Sequence, residues 1–224
     1  MTDARADIFA NIRRSLGVTG NEATRRMEVA DRVARAPRGV IPQRGQVADE
    51  ARVALFRAQA EAVQATTVAV DSVADVPAAV ANYLRDHNLP ATIRMGGDLR
   101  LTAMPWGDTA LELKHGPSDG NDLNAVSHSL CAIAETGTLV MTAGPDNPTT
   151  LNFLPDNHIV IVNARDLVGD MEEAWSKVRI AYGKGEMPRV VNFITGPSRS
   201  ADIGQTMLLG AHGPRSLHVI VVKG

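Results

Sequence analysis

The sequence predicts an α/β fold: a layered, largely parallel sheet flanked by helices, preceded by an N-terminal helical arm. Three observations lead there. From residue 49 onward, β-branched runs alternate with stretches of helical periodicity, the pattern of strand–helix units. The runs Thr138–Thr142, Ile159–Asn163, Val190–Thr195 and Leu217–Val222 are short and mostly apolar, as strands covered on both faces are. Residues 1–45 differ in character, with nine arginines against five acids and no sustained apolar period after Gly17.

Ile8, Ile12 and Leu16 recur at i, i+4 and i+8, which marks a short amphipathic helix ending near Gly17. Residues 18–45, with Pro37, Gly39, Pro42 and Gly45, read as an extended basic connection. The expected organisation is therefore a helix and arm over 1–45 and one α/β domain over 46–224. Glu50–Ala65 reads as helix and Thr66–Val70 as strand. Asp75 is placed to cap a helix that presents Val76, Val80, Tyr83 and Leu84 on one side and stops at Pro90. Ala91–Met95 and Ala110–Leu113 read as short strands. Leu123, Val126, Leu130 and Ile133 recur at helical spacing over Asn121–Ile133. Met171, Ala174, Trp175, Val178 and Tyr182 mark a further helix, with Asp166 as its expected cap.

Composition narrows the function. The 23 Lys+Arg and 25 Asp+Glu give a net charge of −2, which speaks against a globally basic nucleic-acid binder. No apolar run approaches the ~18 residues of a membrane helix, and the N-terminus lacks the apolar core of a secretory signal. The single cysteine, Cys131, expected as a buried inert thiol on a helix, excludes an internal disulfide and a cysteine-only zinc or iron–sulfur cage. A cytoplasmic setting without nucleic-acid or membrane partners is expected. His115, His128, His158 and His218 lack the spacing of zinc sites, so no metal is expected. Gly96-Gly97 belongs to no G-x-G-x-x-G or P-loop pattern.

Two segments near strand ends carry the residue types that chemistry needs. In Ala134-Glu135-Thr136-Gly137-Thr138, Gly137 permits a tight turn and the two hydroxyls suit an anion. Glu135 is the sole acid in an apolar neighbourhood, suited to act as a base or nucleophile or simply to complete hydrogen bonds at the turn. In Ile194-Thr195-Gly196-Pro197-Ser198-Arg199-Ser200-Ala201-Asp202, an abrupt turn offers backbone N–H groups, hydroxyls and a guanidinium, which suit a phosphate or carboxylate. Asp202 stands three residues beyond Arg199 and can orient it. The bland alternative there is a helix N-cap at Ser198 or Ser200 with a surface Arg–Asp pair. Gly210-Ala211-His212-Gly213-Pro214 fixes a turn able to aim His212 at the same pocket, as an acid–base group or a solvated loop histidine.

These segments, read in order, resemble the lactate utilization protein C family, whose members carry a LUD domain. The likeness rests on Ala132–Thr138, Asn152-Phe153-Leu154-Pro155-Asp156-Asn157-His158-Ile159-Val160-Ile161-Val162, Thr195–Ile203 and Leu209–Val219. It covers residues 123–222 most specifically and the first half more loosely. It implies a fold like the NagB/RpiA/CoA-transferase group. It implies a part in oxidising L-lactate to pyruvate, as one member of a three-part system whose iron–sulfur clusters sit in partner proteins, with no redox cofactor in this chain. One departure is Gly204, where the resemblance leads us to expect an acid. Three functions follow as expectations: a subunit of a lactate-oxidising system, a small-molecule sensor, or a CoA- or acyl-handling enzyme using Glu135. A homo-oligomer fits any of them.

Overall fold

Helices α1 (Ala4–Leu16) and α2 (Ala23–Arg35) form a first unit that ends at Gly39. Asp3 caps α1 by accepting from the Arg5 N–H at 3.1 Å, and Gly17 ends it at a φ of 66°. The expected extended connection over 18–45 is thus corrected: it contains a thirteen-residue helix, α2. None of its residues is buried, and its apolar face is made of few and mostly small residues, Met27, Ala30, Val33 and Ala34, set among arginines. Glu22 organises the α1–α2 turn by accepting from Thr19 N, Thr19 Oγ1 and Gly20 N. Those bonds pull its carboxyl down to about 2.

The second unit runs from Val40 to Gly224. The computed structural model describes residues 3–203 and 206–224, with side chains given except at 201–203 and 206–208. The elements in order are α3 (Asp49–Ala62), β1 (Thr66–Val70), α4 (Val76–Asp86), β2 (Thr92–Met95), α5 (Leu99–Thr102), β3 (Glu112–His115), β4 (Asn124–His128), β5 (Cys131–Ile133) and β6 (Thr138–Thr142). Then follow β7 (Asn157–Asn163), β8 (Leu167–Val168), α6 (Met171–Tyr182), β9 (Val191–Ile194), β10 (Arg199–Ile203), β11 (Thr206–Leu209) and β12 (Ser216–Val222). Six strands make a wholly parallel sheet in the order β1-β12-β7-β4-β2-β3. A smaller mixed sheet has the order β8-β5-β6-β9, and β10 pairs with β11 as a hairpin.

Alternation along β7 and β12 explains the layering. Ile159, Ile161, Ile220 and Val222 pack on one face against Val76, Val80, Tyr83 and Leu84 of α4. Val160, Val162, Val219 and Val221 pack on the other against Phe56 and Ala60 of α3 and Leu139 and Met141 of β6. The far side of the small sheet meets Ala174 and Val178 of α6. Each fully buried Ile or Leu in these layers contributes roughly 1.5–3 kcal/mol.

The helix expected over Asn121–Ile133 is instead β4 and β5, joined through Ser129 and Leu130. Every residue of both strands is buried, the polar Asn124, Ser127 and His128 included, so the 3.6-residue spacing of Leu123, Val126, Leu130 and Ile133 reports no helix face. The cap of α6 is Asp170, accepting from Glu173 N at 3.0 Å, whereas Asp166 pairs with Lys177 at 2.8 Å. Asp75 precedes α4 but turns its carboxylate back onto Ser72 N and Oγ. Cys131 lies on a strand, fully buried, and burial pushes its thiol up to about 12. A thiol reagent at pH 8 is expected to leave the native protein unlabelled and to modify one cysteine after denaturation. Rapid native labelling would show that β5 opens. No helix of the described residues is long and apolar enough to cross a membrane.

Candidate functional site: a cavity at the amino ends of the central strands

A cavity of about 270 Å³ lies where the turn after β9 meets the first residues of β7 and β12. Gly196, Ser198, Arg199 and His212 line it, so the structure brings these four sequence candidates together. Parallel-sheet ligands are expected beyond the carboxyl ends of strands. The cavity satisfies that only for β9; for β7 and β12 it sits at the amino ends, at His158 and Leu217.

Local chemistry shapes this corner. Gly196 has a φ of +75°, and a Cβ there would fall 2.4 Å from the Val63 carbonyl oxygen, so a side chain is excluded. Ser198 ties two loops together. Its N–H donates to Pro214 O at 2.8 Å, its carbonyl accepts from Gly210 N at 3.0 Å, and its Oγ accepts from His212 N at 3.3 Å. The bland expectation of a helix N-cap is corrected: Arg199 opens strand β10, not a helix. Arg199 and His212 are exposed at the mouth. The side chain of Asp202 and all of Gly204 lie outside the described residues.

The Glu135–Thr138 segment reaches the cavity only in part. Thr136, Thr138 and Thr195 form a row of hydroxyls, 2.7 Å apart at each step, and Thr195 lines the cavity. Gly137 faces α3 instead, with the Ala60 backbone filling the space a side chain would need. Glu135 does not line the cavity. Its buried Oε2 lies 3.6 Å from Arg44 Nε, and its N–H donates to Gly169 O at 3.3 Å. The turn at Gly45 closes over it, since a Cβ on Gly45 would meet Gly169 O at 2.2 Å and the Glu135 Cβ at 3.2 Å.

Two residues that sequence reasoning had not marked as a site form the floor. Asn152 and His158 line the cavity, each only 1% exposed. Among the described residues, Asn152 Nδ2, Asn152 Oδ1 and His158 Nδ1 are buried without a hydrogen-bond partner. Leaving such atoms unpaired costs roughly 1–3 kcal/mol each; Glu135 Oε2, Asn147 Oδ1 and Asn192 Nδ2 are in the same position away from the cavity. His158 Nε2 is held by Ser127 Oγ at 3.0 Å, which fixes the ring, and complete burial pulls its pKa down to about 3. The ring is therefore neutral near pH 7. A signal for it exists in the sequence: His158 opens the apolar run Ile159–Val162, and a histidine inside a doubly covered strand is unusual.

An α/β protein with a small polar-floored cavity is the class that fold and site define. The comparisons with known proteins make it particular. Residues 124–222 match the LUD-domain family model. That stretch supplies every residue lining the cavity. The lactate utilization protein C of Geobacillus sp. (strain WCH70) is 38% identical over 98 residues, 43% of this chain and 41% of the relative. That of Shouchella clausii is 35% identical over 97 residues, 43% of this chain and 42% of the relative. An uncharacterized protein of Neisseria meningitidis, NMB1437, is 34% identical over 96 residues, 43% and 40% respectively. The matched stretch thus spans about two-fifths of the length of these curated relatives. Among solved structures, a DUF162 family protein from Deinococcus radiodurans shares the fold, with a TM-score of 0.59 and 22% identity over 79% of this chain and 99% of that one.

Proposed function

We propose that the chain is a component of an L-lactate utilization system, in which L-lactate is oxidised to pyruvate together with separate iron–sulfur proteins. In this reading the chain itself carries no redox cofactor and works in the cytoplasm. The observation that supports it is the 34–38% identity to proteins named lactate utilization protein C, joined to a LUD domain that walls the whole cavity. An anaerobic affinity purification from lactate-grown cells tests it. A brown eluate containing iron–sulfur proteins is the expected result. A colourless, lone protein from cells that grow on lactate equally well without the gene would sink the proposal.

A ligand-binding role without turnover is the second reading, favoured by the buried unpaired atoms of Asn152 and His158. It predicts saturable stabilisation by a ligand with no product formed. The CoA-transferase-like reading, in which Glu135 attacks an acyl group, has to operate beside Arg44 rather than in this cavity. Glu135→Gln leaves ligand binding to the cavity unchanged under either of the first two readings.

A further inference from the structure

We infer that the outer edge of β1 is a self-pairing surface: two copies of this chain join there through antiparallel strands centred on Val68. The inference goes beyond the lactate reading and does not depend on it.

The two edges of the six-stranded sheet differ in their protection. β3 closes one edge with Glu112, Lys114 and His115, all exposed, and such charges discourage strand addition. β1 closes the other with Thr-Thr-Val-Ala-Val, which has no charge and no proline. Among the described residues, no strand pairs with its outer side.

The register of self-pairing follows from one hydrogen bond. Val70 O accepts from Lys223 N at 3.0 Å, so Val70 turns its backbone toward β12, and Thr66 and Val68 do the same by alternation. Thr67 and Ala69 therefore turn their N–H and C=O groups outward. Across a two-fold axis they satisfy each other: Thr67 of each copy meets Ala69 of the other as a hydrogen-bonded pair. Val68 then meets Val68 of the second copy as the non-hydrogen-bonded pair between them.

Both faces of the sheet suit this register. On one face, α4 packs over β12 and β7 and leaves Val68 and Val70 half-buried beside an open groove of about 470 Å³. The helix borders that groove with Ala78, Ala79 and Asn82, whose short side chains leave the second copy room. On the α3 face, each end of β1 carries an ion pair. At the first end, Arg57 Nε donates to Thr67 Oγ1 at 2.8 Å, Thr67 Oγ1 donates to Glu61, and Arg57 and Glu61 lie 3.8 Å apart. At the other end, Lys223 holds Asp71 at 2.8 Å, with the Asp71 side chain 86% exposed. Antiparallel pairing sets Asp71 of one copy diagonally across from Thr67 of the other, within reach of long side chains. A carboxylate then stands beside Arg57 and an ammonium beside Glu61, so the ends of the two strands are complementary in charge.

Sedimentation velocity of the full chain, with oxidative cross-linking, tests the inference. The wild-type chain is expected at twice the monomer mass, and Val68→Lys at the monomer mass. Val68→Cys gives the sharper readout because it keeps the side chain small. The non-hydrogen-bonded pair sets the two Cα atoms about 4.5 Å apart, within the roughly 4.4–6.8 Å that a disulfide spans. Mild oxidation should therefore link Val68→Cys into a covalent dimer, with Cys131 buried and inert. Thr67→Cys, which faces Ala69 rather than itself, and His115→Cys on the charged edge should link far less readily. If Val68→Lys loses its fold, the cross-link alone decides. A monomeric wild-type chain, a dimer in which Val68→Cys does not link, or equal linking by His115→Cys would overturn the inference.

Discussion

Replacing Gly137 by alanine is expected to lower stability by about 2–5 kcal/mol, combining a left-handed backbone penalty of about 1–2 kcal/mol with overpacking of about 1–3 kcal/mol. Gly137 turns β5 into β6 at a φ of +65°. An added Cβ would fall 2.3 Å from the Ala60 nitrogen and 2.6 Å from the Gln59 carbonyl carbon, both backbone atoms of α3. Neither can rotate away, so the helix has to lift from the small sheet, disturbing the packing of Ala60 and Phe56 on Leu139 and Met141. Native domains have only about 5–15 kcal/mol in total, so the variant should lose much of its stability. Urea denaturation of the two proteins measures it. A loss under ~1 kcal/mol would mean that α3 shifts freely, contrary to the close approach seen here.

Acid is expected to destabilise the protein from pH 6.5 downward, well before its carboxylates titrate. Burial pulls the pKa of His158 to about 3, and burial followed by the nearby His87 charge pulls that of His218 to about 4. His128 is lowered too, chiefly by burial and secondarily by Arg100. The unfolded chain takes up these protons below about pH 6.5, while the folded chain refuses them until pH 3–4. The unfolded state thus binds more protons across that window, and stability falls as pH falls. Each of His158 and His218 contributes a slope of about 1.4 kcal/mol per pH unit there. Asp98 and Asp166 run the other way in origin. Burial raises both, but hydrogen bonds from Arg100 to Asp98 and from Lys177 to Asp166 outweigh it, so their stabilising share is lost only below about pH 4. Urea midpoints from pH 7 to 5 should decline steadily, and His218→Gln should flatten the slope. A flat profile over that range would contradict the burial of these rings as neutral groups.

The strand–helix alternation was legible because β1, β7, β9 and β12 are short apolar runs between clear turn residues. The helix α4 was legible because its four inward residues lie on one stripe. The two failures have different physical causes. Periodicity reports a boundary between water and core, which the all-buried β4–β5 pair does not cross. Helix α2 has few large apolar residues, Met27, Val29 and Val33 set among arginines, and the Pro37 and Gly39 that follow it made the whole stretch read as an extended arm. Half of the cavity was legible for the opposite reason. Gly196 and Ser198 sit in the turn after β9 and Arg199 opens β10, where polar and glycine residues stand out. Asn152 and His158 are noticeable only once their burial and missing partners are known, and no spacing rule reports either property. Glu135 looked like a member of the same pocket because it is near Gly137 in sequence, yet the β5–β6 turn directs it toward Arg44.

The place of β12 in the six-stranded sheet governs how the chain can assemble. It separates β1 from β7, and among the described residues β1 has no other strand neighbour. Thr66 meets His218 across 152 residues of chain, side chain to side chain at 2.7 Å. Closing so long a loop forfeits chain entropy before any contact repays it, which makes such pairings slow. On the ribosome, β1 must therefore wait without its strand partner until translation is past Val222. During that interval TTVAV is a bare adhesive edge, and prompt capture by a chaperone or by β12 itself decides between a folded molecule and an aggregate.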